Sequence, residues 1–146
     1  MNDRFVKWFT DFNAFLIRVT QGKLGSQLGT QSILVLHTTG RKSGETRSTP
    51  VAYFEYQGKY LLVGSNWGRP KQADWLLNLR SQPRARIDVR GKSFAVQARE
   101  AEGDEYSRLW QFVSGRHPPY VRYQRMTARK IPIVILERNG QHAVPG

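Results

Sequence analysis

Cysteine is absent from the 146 residues, which excludes a disulfide framework and a thiolate metal site and suits a reducing cytoplasm. Histidine is sparse: His37, His117 and His142 are dispersed, without the spacing of metal ligands, so no metal is expected. Acidic side chains number 11 against 23 lysines and arginines, giving a net charge of +12 and a pI near 10.6. That imbalance favours an anionic partner, whether nucleic acid, anionic lipid or a small polyanion. Long apolar runs are missing too. Asp11 and Arg18 interrupt the N-terminal apolar stripe, so that stretch is neither a signal-peptide core nor a bilayer span, and the chain is expected to be soluble or at most peripheral. There is no Walker or Rossmann glycine spacing, no internal repeat and no low-complexity segment.

A chain of this length suits one domain with its own core, here expected over 1–146. Residues 3 to about 21 place Phe5, Trp8, Phe9, Phe12, Phe15, Leu16 and Val19 on one helical face, with Asn2 or Asp3 to cap the helix and Gly22 to end it. Such a helix packs on a core, closes over an apolar pocket, or meets an anionic membrane through Arg4, Lys7 and Arg18. A glycine-rich connector follows at 24–30. Ser32 to His37 is almost wholly apolar, the pattern of a central strand covered on both faces. Val51 to Tyr56 and Lys59 to Ser65 flank Gln57-Gly58 as a tight hairpin. Pro70 suits the first turn of a helix through Ala73, Trp75, Leu76 and Leu79, which Pro83 stops.

Arg84 to Arg90 alternates charged and apolar residues, and Ser93 to Ala101 returns after Gly91. Its arginines suit a charged edge strand or a nucleic-acid face, although basic residues spread along the whole chain weaken the second. Tyr106, Leu109, Trp110 and Val113 mark another helix, closed at Gly115, and Ile131 to Leu136 is the last strand. Gln141 to Gly146 reads as a loose tail. This order of elements predicts an α+β, mainly β fold: six largely antiparallel strands in a small barrel with flanking helices.

Two stretches carry chemistry. Thr38 to Pro50, HTTGRKSGETRSTP with its preceding histidine, combines two glycines, several hydroxyls including Ser43 and Thr49, and the cations Arg41, Lys42 and Arg47. That composition can hold an anion on converging N–H groups and fixed charge, and it serves equally as a solvated hairpin tip. A second anion-friendly place is the helix start after Ser65-Asn66-Trp67-Gly68, beside Arg69 and Lys71, or it is an ordinary strand-to-helix corner. Downstream, Tyr120 and Tyr123 stand three residues apart, on one side of a short helix. Paired phenols can donate a proton to an oxygen gaining charge, or simply pack.

Three blocks together, LHTTGRKSGETRSTPV at 36–51, VGSNWGRPKQADWLLNLRSQP at 63–83 and HPPYVRYQRMTARKIPIVIL at 117–136, resemble the deazaflavin-dependent nitroreductase family. The resemblance implies a split β-barrel related to flavin-binding reductases. It implies reduced coenzyme F420 as cofactor, with FMN as the alternative. By the same resemblance Arg41, Lys42, Ser43 and Arg47 hold the anionic tail with Thr49 and Pro50 nearby, and Lys71 and Trp75 match the family pattern. Where family members have Ser-Lys-Gly-Gly, this chain has Ser65-Asn66-Trp67-Gly68, so Trp67 stacks on the ring or obstructs it. Tyr120 and Tyr123 match tyrosines that line the acceptor pocket, with Tyr120 as proton donor and Ser65 as hydrogen-bond partner of the acceptor. His117 replaces a frequent further tyrosine. The implied reaction is hydride transfer to a small electron-poor acceptor: a nitroaromatic, a quinone or an activated alkene. A cytoplasmic protein, peripheral at the inner membrane face and able to oligomerise, is expected; a non-catalytic cofactor or fatty-acid binding module is the competing class.

Overall fold

The computed structural model describes residues 31–139. The helix expected over 3–21 with its caps, the connector at 24–30 and the tail at 141–146 lie outside them. From Ser32 the chain forms six strands: β1 (Ser32–Thr39), β2 (Thr46–Tyr56), β3 (Lys59–Val63), β4 (Arg84–Val89), β5 (Lys92–Glu100) and β6 (Ile133–Arg138). They close as β1-β2-β3-β6-β5-β4, every neighbouring pair antiparallel. Three helices accompany them among the described residues: α1 (Asp74–Ser81), α2 (Gly103–Arg116) and α3 (Pro119–Met126).

The near-continuous apolar runs are strands buried on both faces. Val134 and Leu136 point into the barrel with Leu34, Leu36, Leu62, Ile87 and Val96, while Ile133 and Ile135 point outward to a second cluster with Phe54, Leu61, Tyr106 and Tyr120. Alternate residues of one strand thus serve two cores. Leu76 and Leu79 of α1 join the inner cluster, 0% and 4% exposed, so the barrel is filled with side chains and any ligand must sit outside it. The outer cluster is covered by α2 and α3 through Leu109, Val113 and Tyr120.

Several expectations need correction. The β2 strand begins at Thr46, so Arg47, Thr49 and Pro50 belong to a strand and the basic loop shortens to Gly40–Glu45. Pro50, which has no N–H to donate, pairs opposite Val35 in the half of β2 that β3 does not reach, since β3 pairs only with Phe54–Tyr56. The first helix starts at Asp74, not Pro70, because Ala73 is still extended at φ −67°, ψ 145°. Nor is β4 an edge: it pairs with β1 as well as β5, and its arginines simply face out from a closed wall. The expected turn at Gln57-Gly58 is present with φ of 51° and 77°, and Arg90-Gly91 repeats it at 51° and 75°.

Antiparallel alternation sends these two hairpin tips to one end of the barrel. The β1–β2 tip, the segment after β3, and the approach to β6 therefore share the opposite end with α1. At the flank, Arg99 of β5 donates to Glu137 of β6 (2.9 Å) and to both Glu105 oxygens of α2 (2.7 and 3.1 Å), tying α2 to the sheet. Hydrogen bonding from Arg99 holds the Glu105 carboxyl below its ordinary value of 4.5. Its contribution is present above that value and is lost as pH falls through the lower folded value. Glu105→Gln is expected to lower the urea midpoint at neutral pH, where the ionised carboxylate contributes, and to flatten its fall with acidification below pH 4.5.

Candidate active site

At the tip between β1 and β2, the Gly40 N–H donates to the Glu45 carbonyl (2.7 Å) and the Gly44 N–H to the Gly40 carbonyl (2.8 Å). A Cβ on Gly40 would meet Ser43 Oγ at 2.8 Å and the Glu45 carbonyl oxygen at 3.1 Å, so the tip closes this tightly only around glycine. Ser43 Oγ accepts from the Glu45 N–H (3.1 Å) and from Arg47 Nη2 (3.2 Å).

Arg41 turns away from this tip. Its backbone N–H and Nη1 both donate to Asn78 Oδ1 (3.1 and 2.9 Å), and Nη2 reaches Asp74 Oδ1 at 3.3 Å. Asn78, 4% exposed, also donates to Thr38 Oγ1 at 3.3 Å, and Thr38 is itself buried. Arg41 is therefore already partnered by α1 and fixes the loop to the helix. Lys42 is exposed and makes no hydrogen bond or ion pair among the described residues, and Arg47 has only a 3.9 Å contact with Glu45 besides Ser43. These two carry the tip's available charge.

Asn78 went unnoticed in the sequence, yet a polar residue inside the apolar stripe of Trp75, Leu76 and Leu79 is the signal that marks it. Trp75, half-buried, packs against the inner cluster beside that stripe.

The segment after β3 makes a turn in which Asn66, Trp67 and Gly68 all have positive φ: 45°, 61° and 77°. Arg129 holds it. Its guanidinium donates to the carbonyls of Gly64 (3.0 Å), Ser65 (2.8 Å) and Arg69 (3.0 Å) and to Gln72 Oε1 (2.9 Å). Burial first, and then the charge of Arg80, lower the Arg129 pKa from its ordinary value. Asn66 Nδ2 donates to the Lys71 carbonyl (2.8 Å), closing the far side. Ser65 Oγ makes no hydrogen bond among the described residues and is half-buried. Lys71 and Arg69 are exposed. The residue sequence reasoning missed is Arg129, which looks like one more surface cation until its partners some 60 positions upstream are seen.

Gly68 packs against α3. A Cβ there would meet Met126 Sδ at 3.0 Å and the Tyr123 Cα at 3.1 Å, on a backbone at φ +77°. Gly68→Ala is expected to cost about 2 kcal/mol, from left-handed strain and crowding against backbone, read as a lower thermal midpoint.

Of the two phenols, Tyr120 is 5% exposed and packs edge-on to Phe54 (6.2 Å) and His117 (4.7 Å), whereas Tyr123 is half-buried and lies 6.2 Å, edge-on, from Trp67. The two tyrosine rings are 6.3 Å apart. Burial, then the Arg122 charge, lowers the His117 pKa, so this imidazole is neutral at pH 7. The structure thus brings Trp67, Tyr123, Tyr120 and His117 into one aromatic row.

Lys71 precedes Asp74 by three residues, within about 10 Å of chain, and Asp74 is the partner of Arg41. Arg41 of the first loop and Lys71 of the second therefore lie near the start of α1. Among the described residues no His, Cys, Asp or Glu group could hold a metal. The exposed cations Lys42, Arg47 and Lys71, with the hydroxyls beside them, fit the phosphate and carboxylates of a polyanionic carrier.

The closed six-stranded antiparallel barrel with flanking helices is the split-barrel fold shared with a solved F420-H2 dependent reductase. The family model of F420H2-dependent quinone reductases matches residues 10–138. An F420H2-dependent quinone reductase of Mycobacterium tuberculosis is 37% identical over 127 residues, 84% of this chain and 85% of the relative. A solved F420-H2 dependent reductase superposes with a TM-score of 0.66 at 38% identity, covering 72% of this chain and 93% of its own. A further solved structure, described only as a domain-swapped dimer, gives a TM-score of 0.67 at 32% identity, covering 90% of this chain and 98% of its own. The chain belongs to the F420H2-dependent quinone reductase family and is an oxidoreductase whose cofactor is coenzyme F420.

Proposed function

We propose that this protein reduces a quinone with F420H2; the exposed charge of Lys42 and Arg47 on a β1–β2 tip that Arg41 ties to the start of α1 is the observation that carries the site assignment. Lys42 and Arg47, with Ser43, Thr49 and Pro50 around them, hold the anionic tail, while Arg41 keeps the loop in place through Asn78. Ser65, Asn66, Trp67, Gly68, Lys71 and Trp75 form the wall towards the ring and acceptor. When bound, the reduced deazaflavin supplies a hydride; with one proton it converts the quinone to a hydroquinone. The chain's own part is to orient the acceptor and to stabilise the oxygen that gains charge. Tyr120 is the proposed proton donor, Tyr123 lines the approach, and the free hydroxyl of Ser65 hydrogen-bonds the acceptor.

The same proposal places the protein in the cytoplasm and at the inner membrane face, with residues 3–21 as the contact. The net charge of +12 supports this, and no helix among the described residues is long and apolar enough to cross a bilayer. A dimer in solution is proposed from the domain-swapped relative. Titrating purified protein with F420H2 and then with quinones tests the assignment. Saturable binding followed by quinone-dependent reoxidation supports it; a protein that ignores F420H2 but carries a flavin chromophore would move it to FMN chemistry.

A further inference from the structure

The chain has two methionines, and Met126 is the one among the described residues. It is the last residue of α3, and at 64% exposure water-borne reagents reach it. Its sulfur nevertheless packs: a Cβ on Gly68 would meet Met126 Sδ at 3.0 Å and Met126 Cβ at 3.1 Å, so the thioether lies directly against the glycine of the turn after β3. That turn, with positive φ at Asn66, Trp67 and Gly68, has two supports. Arg129 holds the carbonyls of Gly64, Ser65 and Arg69, and the close approach of Gly68 to Met126 and Tyr123 seats the turn on α3. A thioether that takes up oxygen becomes polar and bulkier. On Met126 the added oxygen meets a contact where even a Cβ is crowded.

Resting on the reductase reading above for its effect on turnover, we infer that Met126 is a regulatory oxidation site: its sulfoxide loosens the turn from α3, displaces Ser65 and Trp67, and weakens quinone binding. The oxidant is hydrogen peroxide, which the reaction product generates in air. Hydroquinone passes two electrons and two protons to dioxygen, giving back quinone and hydrogen peroxide. A lone pair on Met126 Sδ then attacks one peroxide oxygen, the O–O bond breaks, sulfur is oxidised to the sulfoxide, and the second oxygen leaves as water. Product formed in the presence of oxygen thus slows its own formation. The Arg129 bonds survive, so the turn shifts without unfolding.

Purified protein treated with hydrogen peroxide is expected to carry one added oxygen on Met126, located by peptide mass spectrometry. Its quinone KM should rise about fivefold, with F420H2 affinity changed less because the proposed tail site lies on the β1–β2 tip. Methionine sulfoxide reductases A and B, one for each sulfoxide epimer, should restore the starting KM. Met126→Leu keeps an apolar side chain of similar volume and should match untreated wild type while ignoring peroxide. Met126→Gln, polar and of similar length, should raise KM with no oxidant. Tryptophan emission, read without cofactor or quinone, follows the turn through Trp67, and is expected to change on oxidation of wild type but not of Met126→Leu. Peroxide that leaves Met126 as the thioether would overturn the inference, as would a sulfoxide there with KM and emission unchanged. Equal loss of quinone affinity in treated Met126→Leu would place the damage elsewhere and overturn it too. Emission that responds reversibly to Met126 oxidation in a protein that never oxidises F420H2 would sink the reductase reading and leave the oxidation site standing.

Discussion

Lys42→Ala combined with Arg47→Ala is expected to weaken F420H2 binding about 100-fold, each charge-assisted contact contributing about a factor of ten, while kcat at saturation changes little. Both side chains are exposed and neither is tied to the scaffold beyond Ser43 and a 3.9 Å approach to Glu45, so the thermal midpoint should hardly move. The residual affinity should also depend less on salt, because fewer ion pairs are screened. Arg41→Ala is different in kind. It removes the two guanidinium bonds to α1, leaving only the backbone N–H on Asn78, and is expected to lower both stability and affinity, since the tip loses most of its anchor. Fluorescence titration of wild type and variants at two ionic strengths measures all of this. Equal affinities would move the tail site away from the β1–β2 tip.

Tyr120→Phe is expected to lower kcat about 100-fold, the usual contribution of a positioned general acid, with F420H2 affinity unchanged. The ring itself stays, so its contacts with Phe54 and His117 in the outer cluster are kept. Tyr123→Phe should instead raise KM modestly, since this ring lies nearer the surface beside Trp67. Single-turnover reoxidation of bound F420H2 by quinone, followed across pH, reads the chemical step directly. A slow Tyr123→Phe and a normal Tyr120→Phe would assign the proton to the outer phenol.

Much of the barrel was legible because its strands announce themselves. Ile33 to Leu36 and Ile133 to Leu136 are apolar at every position; the second run feeds both clusters, and the first sends Leu34 and Leu36 into the inner one. Gln57-Gly58 marks its hairpin by composition alone. The limits of the basic loop were harder to read, because hydroxyl-rich Thr46 to Thr49 suits a strand as well as a loop and the β1 partner decides it. At the start of α1, Pro70 suggested a helical position, but Gly64–Gln72 is held instead by Arg129 from the far side of the chain. Such long-range carbonyl capture leaves no local pattern. Nor can composition announce a positive φ at a tryptophan; Arg129 on the turn's carbonyls and the close approach of Gly68 to α3 hold it in that winding.

One short helix has two duties. Leu76 and Leu79 stopper the barrel's mouth, while Asp74 and Asn78, on the same eight-residue rod, grip Arg41. With the cofactor tail on the β1–β2 tip as proposed, thermal robustness and cofactor retention are linked through a common part. Loosen the stopper, and the carrier's grip slackens with it; a laboratory campaign that repacks this corner for heat tolerance would be selecting for tighter carriers at the same time, whether or not anyone assayed for them.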